Sequence, residues 1–270
     1  MSSSLHILGI HGINQHDVTP SALASAWTTA LRESLQRLGH ETDAIELPVV
    51  YYADLFHRHP TPQGEEQLNS EEALLLADWA LDTVAVEAQG PVEEWIGQVA
   101  ALIADRLDNV PKWLVERLMR IGAQDAGQYL NDQALRRDIR GRLADELNAH
   151  SPRVLIAHSL GSVVAWETLQ TIPELHVDVL ITIGSPLALP NAILPRLDPQ
   201  PVAGRTRPPG VGRWVNVAHS GDLVAAVRSL KRTFPEVDDE FEVEVDQRDC
   251  HRADSYLKAT RVAEVVYTFG

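Results

Sequence analysis

The chain has 270 residues, 44% of them hydrophobic, enough to build one large α/β domain or two smaller ones around a sizeable core. Its 38 acidic side chains against 23 basic ones leave a formal net charge of −15, which argues against binding nucleic-acid phosphates or anionic membranes and against steering a strongly anionic substrate. A lone cysteine, Cys250, cannot form an internal disulfide framework, and no window approaches the roughly 18 apolar residues of a membrane span.

The first apolar run, 5–10, is six residues long and follows Met1-Ser-Ser-Ser, which has no basic n-region. It is too short for a signal peptide, so a cytoplasmic protein with no stable membrane anchor is expected. The run reads as a buried strand, as do 44–52, 153–157, 177–184 and 213–218. Residues 240–245 alternate acidic and apolar side chains and read as an edge strand. Helical patterns separate most of these runs: 20–38 with Pro20 at the start, 131–149 with Asn131 as N-cap, 162–171, and 253–268. Strand alternating with helix predicts a mainly parallel sheet of about six strands with helices on both faces.

Residues 55–130 break the rhythm. They read as helices over 70–88, 91–108 and 111–121, with eleven acids and one base between Thr61 and Val110. An all-helical insertion in a sheet protein is expected to be a cap or lid. Leu74, Leu75, Leu76, Trp79, Val84, Trp95, Ile96, Trp113 and Leu114 are candidates to line an acyl pocket, and most of them are expected to pack the cap's own core instead. The proline-rich stretch 185–212 reads as a long excursion over the sheet edge.

The strand at 153–157 runs into Ala157-His158-Ser159-Leu160-Gly161 and then a helical pattern. Small residues two before and two after a serine allow strand and helix to approach closely, with the serine at the apex of a sharp turn. This strand–turn–helix resembles the nucleophile elbow of the α/β-hydrolase family, with alanine in place of the commoner first glycine. The competing reading is a helix N-cap serine after a buried strand.

A serine hydroxyl needs a histidine base, and the histidine needs a carboxylate to fix its tautomer. The family's chain order, serine then acid then histidine, is met here. Asp222 follows the strand 213–218 in a Gly-Asp turn, where it can also act as a helix N-cap. His251 is the only histidine after Asp222 and precedes the last helix. Its alternative reading is an exposed or capping loop histidine, with His219 in reserve. Cys250 reads as a small packing residue. Oxyanion donors are expected from the backbone N–H groups of Leu160 and of Ile13, in the loop Gly9-Ile10-His11-Gly12-Ile13-Asn14 after the first strand. Asn14 or Gln15 can add a polar contact there. His11, Gly12, His158, Ser185 and Pro186 are candidates to line the pocket. His57-Arg58-His59 has metal-like spacing without a third ligand nearby, so no metal is expected.

Taken together, the chain resembles the lipase-like and inositol-deacylase-like branch of the α/β-hydrolase superfamily, over 5–52 and 131–270. Asp125-Ala126-Gly127-Gln128-Tyr129-Leu130 and the turn Gly184-Ser185-Pro186-Leu187 also look like members of it. The resemblance implies an α/β-hydrolase core domain, 1–54 and 131–270, with a helical cap, 55–130. It implies a serine hydrolase of carboxylic esters or thioesters, working through an acyl-enzyme with Ser159, His251 and Asp222 and needing no cofactor. An acyltransferase or thioesterase on a carrier-bound acyl group, and a non-catalytic binding protein of the same fold, are the alternatives. The expected partner is a small ester or acyl substrate; acyl-chain length and oligomeric state are not encoded legibly.

Overall fold

The computed structural model describes residues 5–56, 68–84, 91–106, 112–203, 206–244 and 250–270, with only the backbone of 93, 114 and 118. The apolar runs form strands β1 (Ile7–Ile10), β2 (Val49–Val50), β3 (Val154–His158), β4 (Val177–Ile183), β5 (Val211–Ala218) and β6 (Asp239–Glu242). Among the described residues these make one six-stranded sheet, ordered β2-β1-β3-β4-β5-β6, in which every neighbouring pair is parallel. Helices α1 (Pro20–Arg37), α5 (Gln133–His150), α6 (Leu160–Thr171), α7 (Ala253–Leu257) and α8 (Thr260–Phe269) flank it, while α2 (Ser70–Val84), α3 (Val92–Arg106) and α4 (Lys112–Asn131) intervene between β2 and α5.

The inner strands β1, β3 and β4 are largely apolar because both their faces are covered, whereas the edge strand β6, Asp-Glu-Phe-Glu, is only partly buried. Successive side chains point to opposite faces, and the pleat sorts them: Leu8, Ile10, Leu155, Ala157, Leu180 and Trp214 pack with α5 and α6, whereas Ile7, Val154, Ile156, Ile181 and Val215 pack with α1, α7 and α8. Thr19 Oγ1 accepts from the Ala22 N–H at 3.3 Å, and Pro20 opens α1, so the start predicted at Pro20 is both capped and preset in φ.

Some predicted boundaries move. Of the run 44–52, only Val49 and Val50 pair as strand. Pro48 has no N–H, and the preceding backbone is captured by α1 instead: Thr28 Oγ1 accepts from the Leu47 N–H at 3.0 Å and Arg32 donates to the Ile45 carbonyl at 2.8 Å. The cap before α5 is Asp132, whose Oδ1 takes the N–H groups of Ala134 and Leu135, while Asn131 ends α4. The helix predicted over 111–121 runs ten residues further, and the one predicted over 253–268 is two helices, α7 and α8.

Helices α2, α3 and α4 share a core of their own, built on Leu76, Trp95, Ile96, Val99, Ile103, Val115 and Met119. Polar contacts tie them to the segment before β5. Asp82 accepts from the backbone N–H groups of Asn191 and Ala192, and Arg196 pairs with Asp78 at 2.7 Å. At the far end of α4, buried Glu167 of α6 gathers Tyr129 Oη at 2.6 Å together with Arg136 and Arg140 of α5. No helix among the described residues is long and apolar enough to cross a membrane.

Candidate active site

Parallel pairing brings the carboxyl ends of the strands to one edge of the sheet, and the loops after β1, β3 and β5 meet there. Ser159, in the turn after β3, has φ 52° and ψ −128°, a region that a residue with a Cβ enters only under constraint. Three hydrogen bonds supply the constraint. The Ser159 N–H donates to the Ile183 carbonyl at 3.1 Å, and the N–H and Oγ of Ser162 donate to the Ser159 carbonyl at 2.9 and 2.6 Å. A Cβ at Gly161 would overlap the carbonyl oxygen of His11, and one at Gly12 would collide with the Ser159 side chain. Small residues at both positions are therefore a packing requirement of the turn.

Ser159 stands at the N-cap of α6, yet its side chain makes no capping bond. The hydroxyl, on a residue only 1% exposed, lies 3.0 Å from His251 Nε2. His251 Nδ1 in turn lies 2.9 Å from both oxygens of Asp222. Asp222 also accepts from the N–H groups of Val224 at 2.9 Å and Ala225 at 3.2 Å, which closes a turn; no helix begins there, so the helix N-cap reading of Asp222 does not hold. Tyr256 Oη donates to it at 2.7 Å. Burial alone would raise the Asp222 pKa, but the charge and hydrogen bond of His251, with the bonds from Tyr256 and Ala225, outweigh it and hold the carboxyl below its ordinary value. A carboxylate accepts only, so the shared proton resides on His251 Nδ1 and Nε2 presents a lone pair to the serine hydroxyl.

A cavity of about 420 Å³ opens onto this constellation. Its wall is nearly all apolar and draws on Leu75, Trp79, Ile103, Val115, Met119 and Leu223, with Ser159, His251 and Asn14 as polar exceptions. Comparison with family models, with curated proteins and with solved structures found no match to this chain. Among the described residues no group of three His, Cys, Asp or Glu side chains is arranged to hold a metal.

The sequence candidates fall into layers. Ser159, His251, Ile13, Leu160 and Pro186 border the cavity, whereas His11, Gly12, His158, Ser185 and Asp222 stand behind its wall. Leu160 opens α6, so its N–H belongs to the first helical turn and has no intrahelical acceptor. His158 donates from Nε2 to the His251 carbonyl at 2.7 Å, and burial, with His251 beside it, lowers its pKa to about 3. It is a neutral support for the backbone of His251. His11 is lowered to about 4, mainly by burial; Nδ1 donates to the Gly12 carbonyl at 2.6 Å and Nε2 accepts from the Tyr52 N–H at 3.0 Å. His219 Nδ1 accepts from the Gly221 N–H and shapes the turn that carries Asp222. Ser185 Oγ is bonded to Ser162 Oγ at 2.7 Å, and Cys250 Sγ packs 3.2 Å from the Gly221 carbonyl.

Of the nine apolar candidates in the insertion, Leu75, Leu76 and Trp79 border the cavity. Trp95, Ile96 and Val84 pack among the helices, and Leu74 and Trp113 are 57% and 63% exposed. The side chain of Leu114 and residues His57, Arg58 and His59 lie outside the described residues. Sequence reasoning missed the stripe of α4 that faces the cavity: Val115, Met119, Gly122, Ala123 and Ala126. Their helical spacing was visible, but it is equally the signature of a core face.

Proposed function

We propose that the protein is a serine hydrolase of the α/β-hydrolase type, cleaving carboxylic esters or thioesters of apolar acyl groups. The observation that carries this reading is the continuous line from the Ser159 hydroxyl to His251 Nε2, and from His251 Nδ1 to the Asp222 carboxylate, at the mouth of an apolar cavity. A non-catalytic binding protein has no need of a strained serine whose hydroxyl is withheld from helix capping and directed at an oriented histidine.

In this reading His251 Nε2 takes the Ser159 proton as Oγ bonds to the acyl carbon. The carbonyl oxygen becomes an oxyanion held by the N–H groups of Ile13 and Leu160. Collapse breaks the bond to the leaving oxygen or sulfur, which receives the proton from His251. Water then attacks the acyl-enzyme by the same path: His251 takes its proton, the carboxylic acid leaves, and Ser159 regains its hydrogen. The helices α2, α3 and α4 act as a cap that supplies one side of the acyl cavity. Apolar burial, not charge pairing, selects the substrate, in keeping with the chain's acidic surface.

The test is turnover of p-nitrophenyl butyrate by wild type and Ser159→Ala. The reading expects the substitution to lower kcat by about 10⁶-fold, to the level left by the remaining groups. A variant that retains the wild-type rate overturns it.

A further inference from the structure

The loop that follows β1 is gripped from two sides. On one side Tyr52, just after β2, donates from Oη to the His11 carbonyl at 2.8 Å and from its N–H to His11 Nε2. On the other side the grip comes from α4. Asp125, 3% exposed, accepts the Asn14 N–H on Oδ2 at 2.9 Å and bonds His16 Nε2 through Oδ1 at 2.8 Å. One turn earlier in α4, Gly122 leaves room for Ile13, whose Cδ1 would lie 2.8 Å from a Cβ at that position.

Asn14 has reason to need the grip. Its φ is +62°, and its amide oxygen is the one buried side-chain polar atom without a hydrogen-bond partner among the described residues. Both features favour some other conformation of the loop. A hydrogen bond from the backbone to a buried carboxylate is among the stronger ones available to offset them.

We propose that Asp125 is a positioning residue for the oxyanion site. By fixing the Asn14 N–H it anchors the Ile13–Asn14 peptide, and through the Ile13 Cα it limits the orientation of the adjoining Gly12–Ile13 peptide, whose Ile13 N–H is the expected oxyanion donor, so that the reacting geometry depends on α4 being seated against the loop. The inference rests on the hydrolase reading above. It makes a helix of the insertion, 111 residues distant in sequence, part of the machinery that holds the transition state without touching substrate.

The experiment measures kcat and KM for p-nitrophenyl butyrate in the wild type and in Asp125→Ala, Asp125→Asn and Asp82→Ala. Displacing a reacting geometry by about an ångström lowers rates by up to about 10²-fold. Asp125→Ala is expected to lose about 10- to 100-fold in kcat with KM within about twofold of wild type, because the oxyanion donors act mainly in the transition state. Asp125→Asn keeps an acceptor for the Asn14 N–H and is expected to restore kcat to within about fivefold. Asp82→Ala loosens the insertion at Asn191 without touching the loop, and its kcat stays within about twofold. If the alanine variant fails to fold, Asp125→Ser, one atom too short to hold Asn14, is expected to show the same kcat loss. Wild-type kcat in a folded Asp125→Ala or Asp125→Ser protein, or an equal loss in Asp82→Ala, overturns the proposal. Absence of any Ser159-dependent turnover in the wild type overturns the hydrolase reading itself, and this inference with it.

Discussion

Tyr256, in α7, donates its phenolic hydrogen to Asp222 Oδ2 at 2.7 Å, while His251 shares the same oxygen at 2.9 Å. Burial first, and then the neighbouring Asp222, push the Tyr256 phenol well above its ordinary pKa, so it stays a donor at every pH the fold survives. The acid of the constellation is thus locked from α7 as well as by the Val224 and Ala225 N–H groups of its own turn. Tyr256→Phe removes one hydrogen bond to a buried carboxylate, which is worth about 1.5–3 kcal/mol. Because that bond helps depress the Asp222 pKa, the stability it gives is present above the ordinary carboxylate pKa and lost as pH falls through the depressed one. Urea melts at pH 7 should show a loss of that size, and kcat should fall about tenfold if about 1.4 kcal/mol of it is felt in the transition state. Unchanged melts and kcat would show that the tyrosine is incidental.

The cavity predicts how rate depends on acyl length. Each methylene moved from water into an apolar wall gains about 0.8 kcal/mol, which is about a fourfold rise in kcat/KM. In the p-nitrophenyl series from acetate upward, kcat/KM should climb by that factor until the 420 Å³ space is filled, then level off or fall. Met119 lines that space from α4. Met119→Trp should leave the acetate unchanged and end the climb at a shorter chain. A series flat in both proteins would contradict the assignment of the cavity to the acyl group.

Two buried neutral histidines make the fold acid-sensitive. His158 and His11 have pKa values lowered to about 3 and about 4. Below the ordinary imidazole pKa the unfolded chain binds protons that the folded chain refuses. Stability is therefore lost as pH falls from about 6.5 toward 4, by about 1.4 kcal/mol per pH unit for each histidine. Urea melts at pH 7 and pH 5 should show that His158→Asn loses about 2 kcal/mol less than wild type over this interval. Equal losses in both proteins would contradict the neutral, buried state of His158.

Much of the site was legible because its signals are local. Small residues around Ser159 report a close strand–helix crossing, and a Gly-Asp turn after a β-branched run reports the end of a strand. Parallel topology then carries these ends to one edge, so the order of Ser159, Asp222 and His251 along the chain became proximity in space. What was not legible depends on long-range pairing. Nothing near Asp125 announces that it will meet Asn14, and the β-branched run 44–52 gives no sign that Thr28 and Arg32 of α1 will draw its first half out of the sheet. Met119 and Val115 were hidden differently. A face of a helix that borders a cavity and a face that fills a core have the same period, and only the packing of α2 and α3 around α4 separates them.

Glu167 offers a test of how firmly α4 is anchored. Its buried carboxylate is shared by Arg136, Arg140 and Tyr129, so removing it strands Arg136, itself buried, without its partner. Glu167→Ala should destabilise the fold by about 3–5 kcal/mol, read from urea melts. A loss below about 1 kcal/mol would mean that water replaces the carboxylate there.

The central claim is that Ser159 is an activated nucleophile. Its most direct test is intact-protein mass spectrometry after exposure to a fluorophosphonate probe, with the adduct located by peptide mapping. One adduct per chain is expected, on the peptide containing Ser159, with none on Ser159→Ala and with much slower labelling of His251→Ala. Equal labelling of the Ser159→Ala protein, or no labelling of the wild type under conditions that label known serine hydrolases, would contradict it.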